Sequence, residues 1–312
     1  MPLPLLTVGL PVRNGAAFLA AALDSLSGQS FGDFRAVISD NCSTDATPDI
    51  CRAHAARDPR FHYSRTVANI GAGPNFNRVF GYCATPYFKW MAHDDLLAPT
   101  FLDRCVAVLR ADPGLVLAHT LLTLVDEAGR PLPLSANGRV FDRQGRRHHD
   151  LEPPHLAEDA RPSRRFDDAL RRMNWCTAVF GVIRADALKR THLHGSYYEA
   201  DRVLLAELAV LGRFRQLDEP LLLKRCHGGV SVLKGFREQA MMIDPSVPPG
   251  PPGLRLRLGY ARALRVGSME AAERAACALT VLRVSLRNRL THRLRARAAW
   301  LPLAGRWRPD AS

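Results

Sequence analysis

Residues 87–99 read YFKWMAHDDLLAP. Tyr87 to Met91 form a short aromatic and apolar run, broken only by Lys89, with the composition of a buried β-strand. It leads within three residues to two adjacent carboxylates, Asp94 and Asp95. Side-by-side aspartates repel each other unless a cation or a hydrogen-bond donor offsets their charge. The plain alternative is a solvated turn that caps a helix starting near Pro99. What else the fold brings to that strand end decides between the two.

The same alternation of apolar strand and amphipathic helix extends in both directions. Towards the N-terminus, Leu5–Val12 (LLTVGLPV) reads as a first strand. Ala16–Leu26 follows with helical spacing of Phe18, Leu19, Ala22, Leu23 and Leu26. Phe34–Ser39 (FRAVIS) is a second strand ending at Asp40. Thr47–Arg57 is a helix that Ser43, Thr44 or Asp45 can cap. Phe61–Arg65 is a short strand and Asn75–Cys83 a helix. Beyond the opening stretch come a helix over 99–111 and a strand over 116–125. Strands alternating with helices predict βαβ units and a mostly parallel central sheet flanked by helices, whose ligands bind at the carboxyl ends of the strands.

The pattern loosens after residue 125. Residues 128–165, rich in Arg, Pro, His and Asp, read as a long loop or lid. Helix 166–173, strand 177–183, helix 201–211 and strand 221–225 follow. DPSVPPGPPG (244–253) is a strong breaker and a predicted linker. Leu254–Trp300 reads as two Arg-rich helices. The second carries an apolar stripe of Ala275, Leu279, Leu282, Leu286, Leu290 and Leu294. The expected organisation is an α/β domain over 1–243, split into a first half (1–125) and a second half (126–243). The linker and a helical C-terminal extension over 254–312 complete it.

Composition bounds the class. The chain has 312 residues, 47% hydrophobic and 23% charged, enough to bury a sizeable core. The N-terminus lacks the basic start and apolar stretch of a signal peptide, and no run of eighteen apolar residues predicts a membrane span. Seven scattered Cys without CxxC spacing read as reduced thiols of a cytoplasmic protein, not a disulfide framework or a zinc site. The net charge of +13 is nearly all Arg, since Lys occurs at only four positions, and much of it lies in the last sixty residues. Such a balance suits phosphorylated small molecules, anionic lipid or nucleic acid. For the C-terminal helices, packing against the body is the simpler reading, and contact with an anionic membrane surface the sharper one.

Three acidic positions fall at predicted strand ends or helix starts: Asp40, the Asp94/Asp95 pair and Asp201. Strand-end acids of a parallel sheet converge on one edge. An acidic cleft in so basic a chain suggests a divalent cation held by one or two carboxylates together with substrate phosphates.

On these residues the sequence resembles the family 2 glycosyltransferases. The segments PVRN (11–14), ISDNCSTDAT (38–47), NIGAGPNFNRVF (69–80) and YFKWMAHDDLLAP (87–99) carry the resemblance in order. VFGVIR (179–184), YYEADRVLLAELAVLG (197–212) and LKRCHGGVS (223–231) continue it, so that it covers residues 5–231. It is strongest to members with SDNxSTD and AHDD motifs. The resemblance implies a glycosyltransferase-A fold and inverting transfer of a sugar from a UDP-, dTDP- or GDP-sugar to a hydroxyl acceptor. It implies that Pro11, Arg13, Asn14, Asp40, Asn69 and Asn77 line the nucleotide pocket. It places Asp94, with Asp95 and His227, at a Mg²⁺ or Mn²⁺ ion and the diphosphate. The acid usual two residues before the metal ligand is Ala92 here, so His93 or Asp95 takes over the ribose side. Asp201 matches the general base; its usual acidic neighbour is Ala200, which leaves Glu199 as a second candidate. No nucleic acid is expected as a partner, and neither a P-loop nor a GxGxxG fingerprint follows the first strand. His148, His149 and His155 fit no common metal spacing. Trp175 reads more simply as core than as a stacking platform for a sugar, and His192 and His194 read as loop residues, with the acceptor pocket as the alternative.

Overall fold

A computed structural model of the chain describes residues 3–134, 139–141, 147–150, 157–173, 175–227, 236–248 and 253–299. Its frame is an eight-stranded sheet. β1 (Leu6–Val12), β2 (Phe34–Asp40), β3 (Phe61–Arg65) and β4 (Tyr87–Trp90) come from the first βα units. β5 (Leu96–Leu97), β6 (Leu115–Val125), β9 (Val182–Arg184) and β10 (Arg213–Arg225) complete it, in the order β3-β2-β1-β4-β9-β6-β10-β5. A separate hairpin pairs β7 (Arg139–Phe141) with β8 (Arg147–Asp150), inside the stretch expected to be a lid.

β1 is buried along its whole length, as expected of a strand covered on both faces. It pairs in parallel with β2 on one side and with β4 on the other. The chain therefore leaves β1 in one direction and returns to its opposite edge, and that reversal opens a crevice beyond the carboxyl ends of β1 and β4. Arg13-Asn14 follow β1 there, and His93-Asp94-Asp95 follow β4. The helices α1 (Leu19–Ser27), α2 (Thr47–Arg57), α3 (Ala72–Gly81) and α4 (Phe101–Ala111) connect these strands, each within a few residues of its expected bounds.

The second half departs from the expected strand over 177–183. Thr177–Phe180 is a 3-10 helix, entered through Cys176 in the left-handed region (φ +55°), and only Val182–Arg184 pairs. The apolar run misled because it is buried on all sides, which period alone does not distinguish from a strand. β9 is antiparallel to both β4 and β6, and the edge strand β5 is antiparallel to β10, so the sheet is mixed, with parallel pairing in β3-β2-β1-β4 and between β6 and β10. The expected strand 221–225 is the end of the thirteen-residue β10, whose register slips between Leu217 and Leu222, around Pro220. Pro lacks the N–H that a ladder needs, so the slip falls there.

α5 (Pro162–Arg171), the short α6 (Ala185–Lys189) and α7 (Ala200–Leu211) cover this half. α8 (Phe236–Ile243), α9 (Leu254–Ala263) and α10 (Ala271–Ala299) follow. α9 and the start of α10 share a core with α5 and α7, built from Phe166, Leu170, Val203, Ala206, Val210, Leu256, Tyr260, Ala263 and Cys277. Among the described residues, no helix is long and apolar enough to cross a membrane.

Candidate active site

The loop after β2 is cross-braced by the residues that the sequence singled out around it. Asn14, at φ +51°, donates its backbone N–H to Ser43 Oγ (2.9 Å) and accepts the Thr44 N–H on Oδ1 (2.8 Å). Asp40 is fully buried; Oδ1 accepts the Ser43 N–H (2.9 Å) and Oδ2 the Tyr63 hydroxyl (2.9 Å), with Arg65 Nε 3.6 Å away. Asn69 Oδ1 accepts from Asn41 Nδ2 (2.9 Å) and from the Gly71 N–H (3.0 Å). Pro11 is buried in β1 opposite Ser39, and Arg13 is exposed beside the loop. The hydrogen-bonding capacity of Asp40 and Asn69 thus goes largely to shaping the loop, while Arg13 presents a free-standing surface charge.

The loop after β4 meets this group through Gly15. A Cβ on Gly15 would stand 2.5 Å from His93 Cδ2, so only glycine lets the His93 ring lie against that turn. Asp94 Oδ2 lies 3.0 Å from His227 Nε2. Burial opposes ionisation of Asp94, but the His227 hydrogen bond and the charges of His93 and Lys224 prevail and hold it well below the ordinary carboxylate range. Asp95 is buried, and its desolvation raises its pKa against the pull of Lys224. Asp95 Oδ1 accepts the Arg225 N–H (2.9 Å), while Oδ2 is buried without a hydrogen-bond partner, 3.7 Å from Lys224 Nζ. Two neighbouring acids thus ionise differently because one faces the cleft and the other faces the interior.

β10 stitches this loop to the other half. Arg225 donates from Nε to the Asp94 carbonyl (2.9 Å) and stacks over Phe18, whose ring also packs on His227 at 4.7 Å. Lys224, Arg225 and Cys226 then line a cavity of about 510 Å³, together with Phe76, Trp175, Phe180, His194, Tyr197, Tyr198, Glu199 and Asp201. Asp201 stands in the first turn of α7, where a negative charge suits the helix dipole. Burial, and next to it the charge of Glu199, raises its pKa. Glu199, in the left-handed region at φ +63°, leans on Arg202 at 3.6 Å.

Asn77 lies on α3, and its side chain bonds the segment before α7 rather than the loop after β2. Both ends of its amide hold the backbone of His194, donating to its carbonyl (2.8 Å) and accepting its N–H (2.9 Å). His194 is wedged edge-on against Trp90 and Phe76, and burial lowers its pKa to about 4, so its ring is neutral. His192 pairs with the buried Glu207 at 2.6 Å and fastens the segment before Asp201. The side chains of His148 and His149, and the whole of His155, lie outside the described residues.

Sequence reading missed Lys224, Arg225, Phe18 and Tyr63. The first two adjoin His227 in a quoted motif, but their pairing with a loop about 130 residues away has no local signal. Among the described residues, no three His, Cys, Asp or Glu cluster as a metal cage. The Asp94–His227 pair nonetheless fits a hard divalent cation that takes its remaining ligands from phosphate and water.

The family model described as glycosyl transferase family 2 matches residues 7–169. Chondroitin synthase of Escherichia coli is 26% identical over 141 residues, covering 45% of this chain and 20% of that protein. The putative teichuronic acid biosynthesis glycosyltransferase TuaG of Bacillus subtilis is 26% identical over 129 residues, covering 41% of this chain and 51% of TuaG. The chain thus spans about a fifth to a half of these relatives' lengths. Among solved structures, S. aureus TarS 1-349 in complex with UDP-GlcNAc superposes with a TM-score of 0.57 at 18% identity, covering 86% of this chain and 69% of that one. The mannosyltransferase PcManGT from Pyrobaculum calidifontis, in complex with GDP-Man and Mn²⁺, gives 0.55 at 14%, covering 97% and 82%. These structures share the fold, the glycosyltransferase-A arrangement expected from the sequence. With its model matched over more than half of the residues, the chain belongs to glycosyl transferase family 2.

Proposed function

We propose that the protein is an inverting glycosyltransferase that moves a sugar from a nucleoside diphosphate sugar to a hydroxyl acceptor, in the synthesis of a polysaccharide, glycolipid or other glycoconjugate. One observation carries this reading. The raised-pKa carboxylate of Asp201 lines the same cavity as Lys224 and Arg225, and these two residues pair with the Asp94-Asp95 loop through the Arg225 hydrogen bonds and the Lys224–Asp95 contact. A base and a diphosphate-side charge cluster thus flank one space.

In the reaction, an acceptor hydroxyl gives its proton to the Asp201 carboxylate as its oxygen bonds the anomeric carbon. The bond from that carbon to the diphosphate breaks on the opposite face, and its electron pair leaves with the diphosphate. Lys224 offers positive charge there. Asp94 and His227, with Asp95 behind them, would hold Mg²⁺ or Mn²⁺, which supplies charge neutralisation to the leaving group. Arg13 and Asn14 would meet the nucleotide, with Pro11, Asp40 and Asn69 shaping that pocket; Asn77 acts instead on the Asp201 cavity through the His194 segment. His93 stands in for the acid replaced by Ala92, which sets this chain in a subgroup with SDNxSTD and AHDD motifs. Glu199 tunes Asp201 and is the second candidate base. UDP or GDP donors are supported by the ligands of the TarS and PcManGT structures, and dTDP shares the same diphosphate chemistry. The scattered free thiols support a cytoplasmic site of action, and the basic C-terminal helices support peripheral contact with anionic membrane.

The test is a panel of UDP-, dTDP- and GDP-sugars, with and without Mn²⁺ or Mg²⁺. Slow donor hydrolysis or selective nucleotide binding, weakened by Asp94→Ala, is expected. Tight, salt-sensitive DNA or RNA binding with no nucleotide-sugar binding would sink the reading.

A further inference from the structure

Over its described side chains α10 is apolar on two faces, and the body covers one of them. Cys277 and Thr280 are buried, with Val281 and Val284 packed beside them against α5. Thr280 Oγ1 donates to Asp167 Oδ1 (3.0 Å), and Glu273 Oε2 accepts the Ser163 N–H (2.7 Å), which fixes the helix rotation. Ala275, Leu279, Leu282 and Leu286 follow at i, i+4, i+7 and i+11 and therefore share one face. That face points outward: Leu279, Leu282 and Leu286 are 44%, 55% and 50% exposed. Among the described side chains, the stripe read from the sequence is thus the face that the body does not cover.

Charge selects the occupant. Residues 254–312 hold 13 Arg and three acidic residues, +10 of the chain's +13. Arg262, Arg265, Arg274 and Arg283 are exposed on α9, α10 and the turn between them. A second copy docked symmetrically on this face would bring two such charges together, which repel. A nucleic acid would use the Arg but has no need of an outward leucine row. An anionic lipid surface uses both, taking the leucines into the acyl boundary and the guanidinium groups at the headgroups.

We infer that the outward face of α10 docks the protein on an anionic membrane surface. The helix lies in the interface plane and does not span it. Because α10 packs on α5, and α5 on the α7 that carries Asp201, docking holds the cavity at a fixed height and orientation above the lipid. The docking itself is independent of glycosyl transfer. Its use, delivery of a membrane-borne hydroxyl acceptor, rests on the function proposed above.

The test sediments the full chain with vesicles of phosphatidylcholine, with and without phosphatidylglycerol, and needs no donor sugar. Partition onto the anionic vesicles is expected to exceed that onto neutral ones by about tenfold or more. Leu279→Ser/Leu282→Ser/Leu286→Ser should cut it by about tenfold or more, since each serine removes apolar surface that docking would take out of water. Arg274→Gln/Arg283→Gln should weaken it and flatten its salt dependence. Unchanged UDP binding in both variants shows that the fold is intact. Three results would overturn the inference: no anionic preference, a leucine variant that binds vesicles as well as the parent, or a parent dimer that this variant dissolves. Salt-sensitive RNA binding indifferent to the leucines would overturn it too. Failure of donor hydrolysis beside normal vesicle binding would instead strike the proposed function alone.

Discussion

Replacing Asp201 with Asn separates catalysis from stability in a direction that the structure fixes. Asn keeps the shape, and its Oδ1 can still accept the Arg202 N–H that Asp201 Oδ1 accepts at 2.9 Å. The pKa of Asp201 is raised by burial first and by Glu199 in support, so the native state holds the proton more tightly than the unfolded chain. The linkage then has a definite sign. The native state is favoured while the acid is protonated, and it loses stability as pH rises through the range above the ordinary Asp value. At neutral pH the ionised side chain therefore costs stability, offset in part by about 0.3–1 kcal/mol from the helix N-terminus. Asp201→Asn should leave the denaturation midpoint unchanged or higher. Catalysis should move the other way. Losing a general base costs about 10²–10⁴ in kcat, or about 2.7–5.4 kcal/mol of barrier. The assay is kcat for nucleoside diphosphate release in the presence of acceptor, followed across pH, beside urea denaturation at pH 7 and pH 5. The parent should lose activity as pH falls towards the raised pKa, a limb that the variant lacks. A variant within threefold of the parent kcat, or one that is inactive because it is unfolded, would refute the reasoning.

Two further outcomes follow from the charge cluster. His227→Ala removes the hydrogen bond that holds Asp94 low. Affinity for Mn²⁺ in the presence of UDP, read by titration, should fall by roughly tenfold or more; unchanged affinity would remove His227 from the site. Lys224→Met leaves the buried Asp95 Oδ2 without its cation at 3.7 Å. Because Lys224 keeps some solvent contact, the loss in stability should sit near the lower end of the range for breaking a buried pair, about 3 kcal/mol. Adding Asp95→Asn should restore most of it in urea denaturation, and a double variant as unstable as the single one would show that the pair is not what Lys224 provides.

The first half of the fold was legible because it repeats a local rule. Apolar runs of strand length, each followed by a periodic helix, leave little choice but parallel units. The acids at their ends fall at one sheet edge by topology alone. The second half was less so. Burial on all sides made 177–183 look like a strand, and the expected lid over 128–165 contains a hairpin and the start of α5 among the described residues. On α10, an apolar stripe signals only that a face avoids water, not which neighbour it meets. Cys277, Thr280, Val281 and Val284 took the contact with α5, and Leu279, Leu282 and Leu286 were left outside.

The opening stretch shows the same division. YFKWMAHDDLLAP by itself determined a buried strand, two acids beyond it and a helix after, since composition and spacing act locally. Only the tertiary structure decided that the acids differ. β10 arrives from far along the chain, turns Asp95 inward onto the Arg225 N–H and Lys224, and sets His227 against Asp94 in the cleft. Identical side chains have their pKa values pushed in opposite directions because desolvation and charge depend on what surrounds them in space, which adjacency in sequence does not specify.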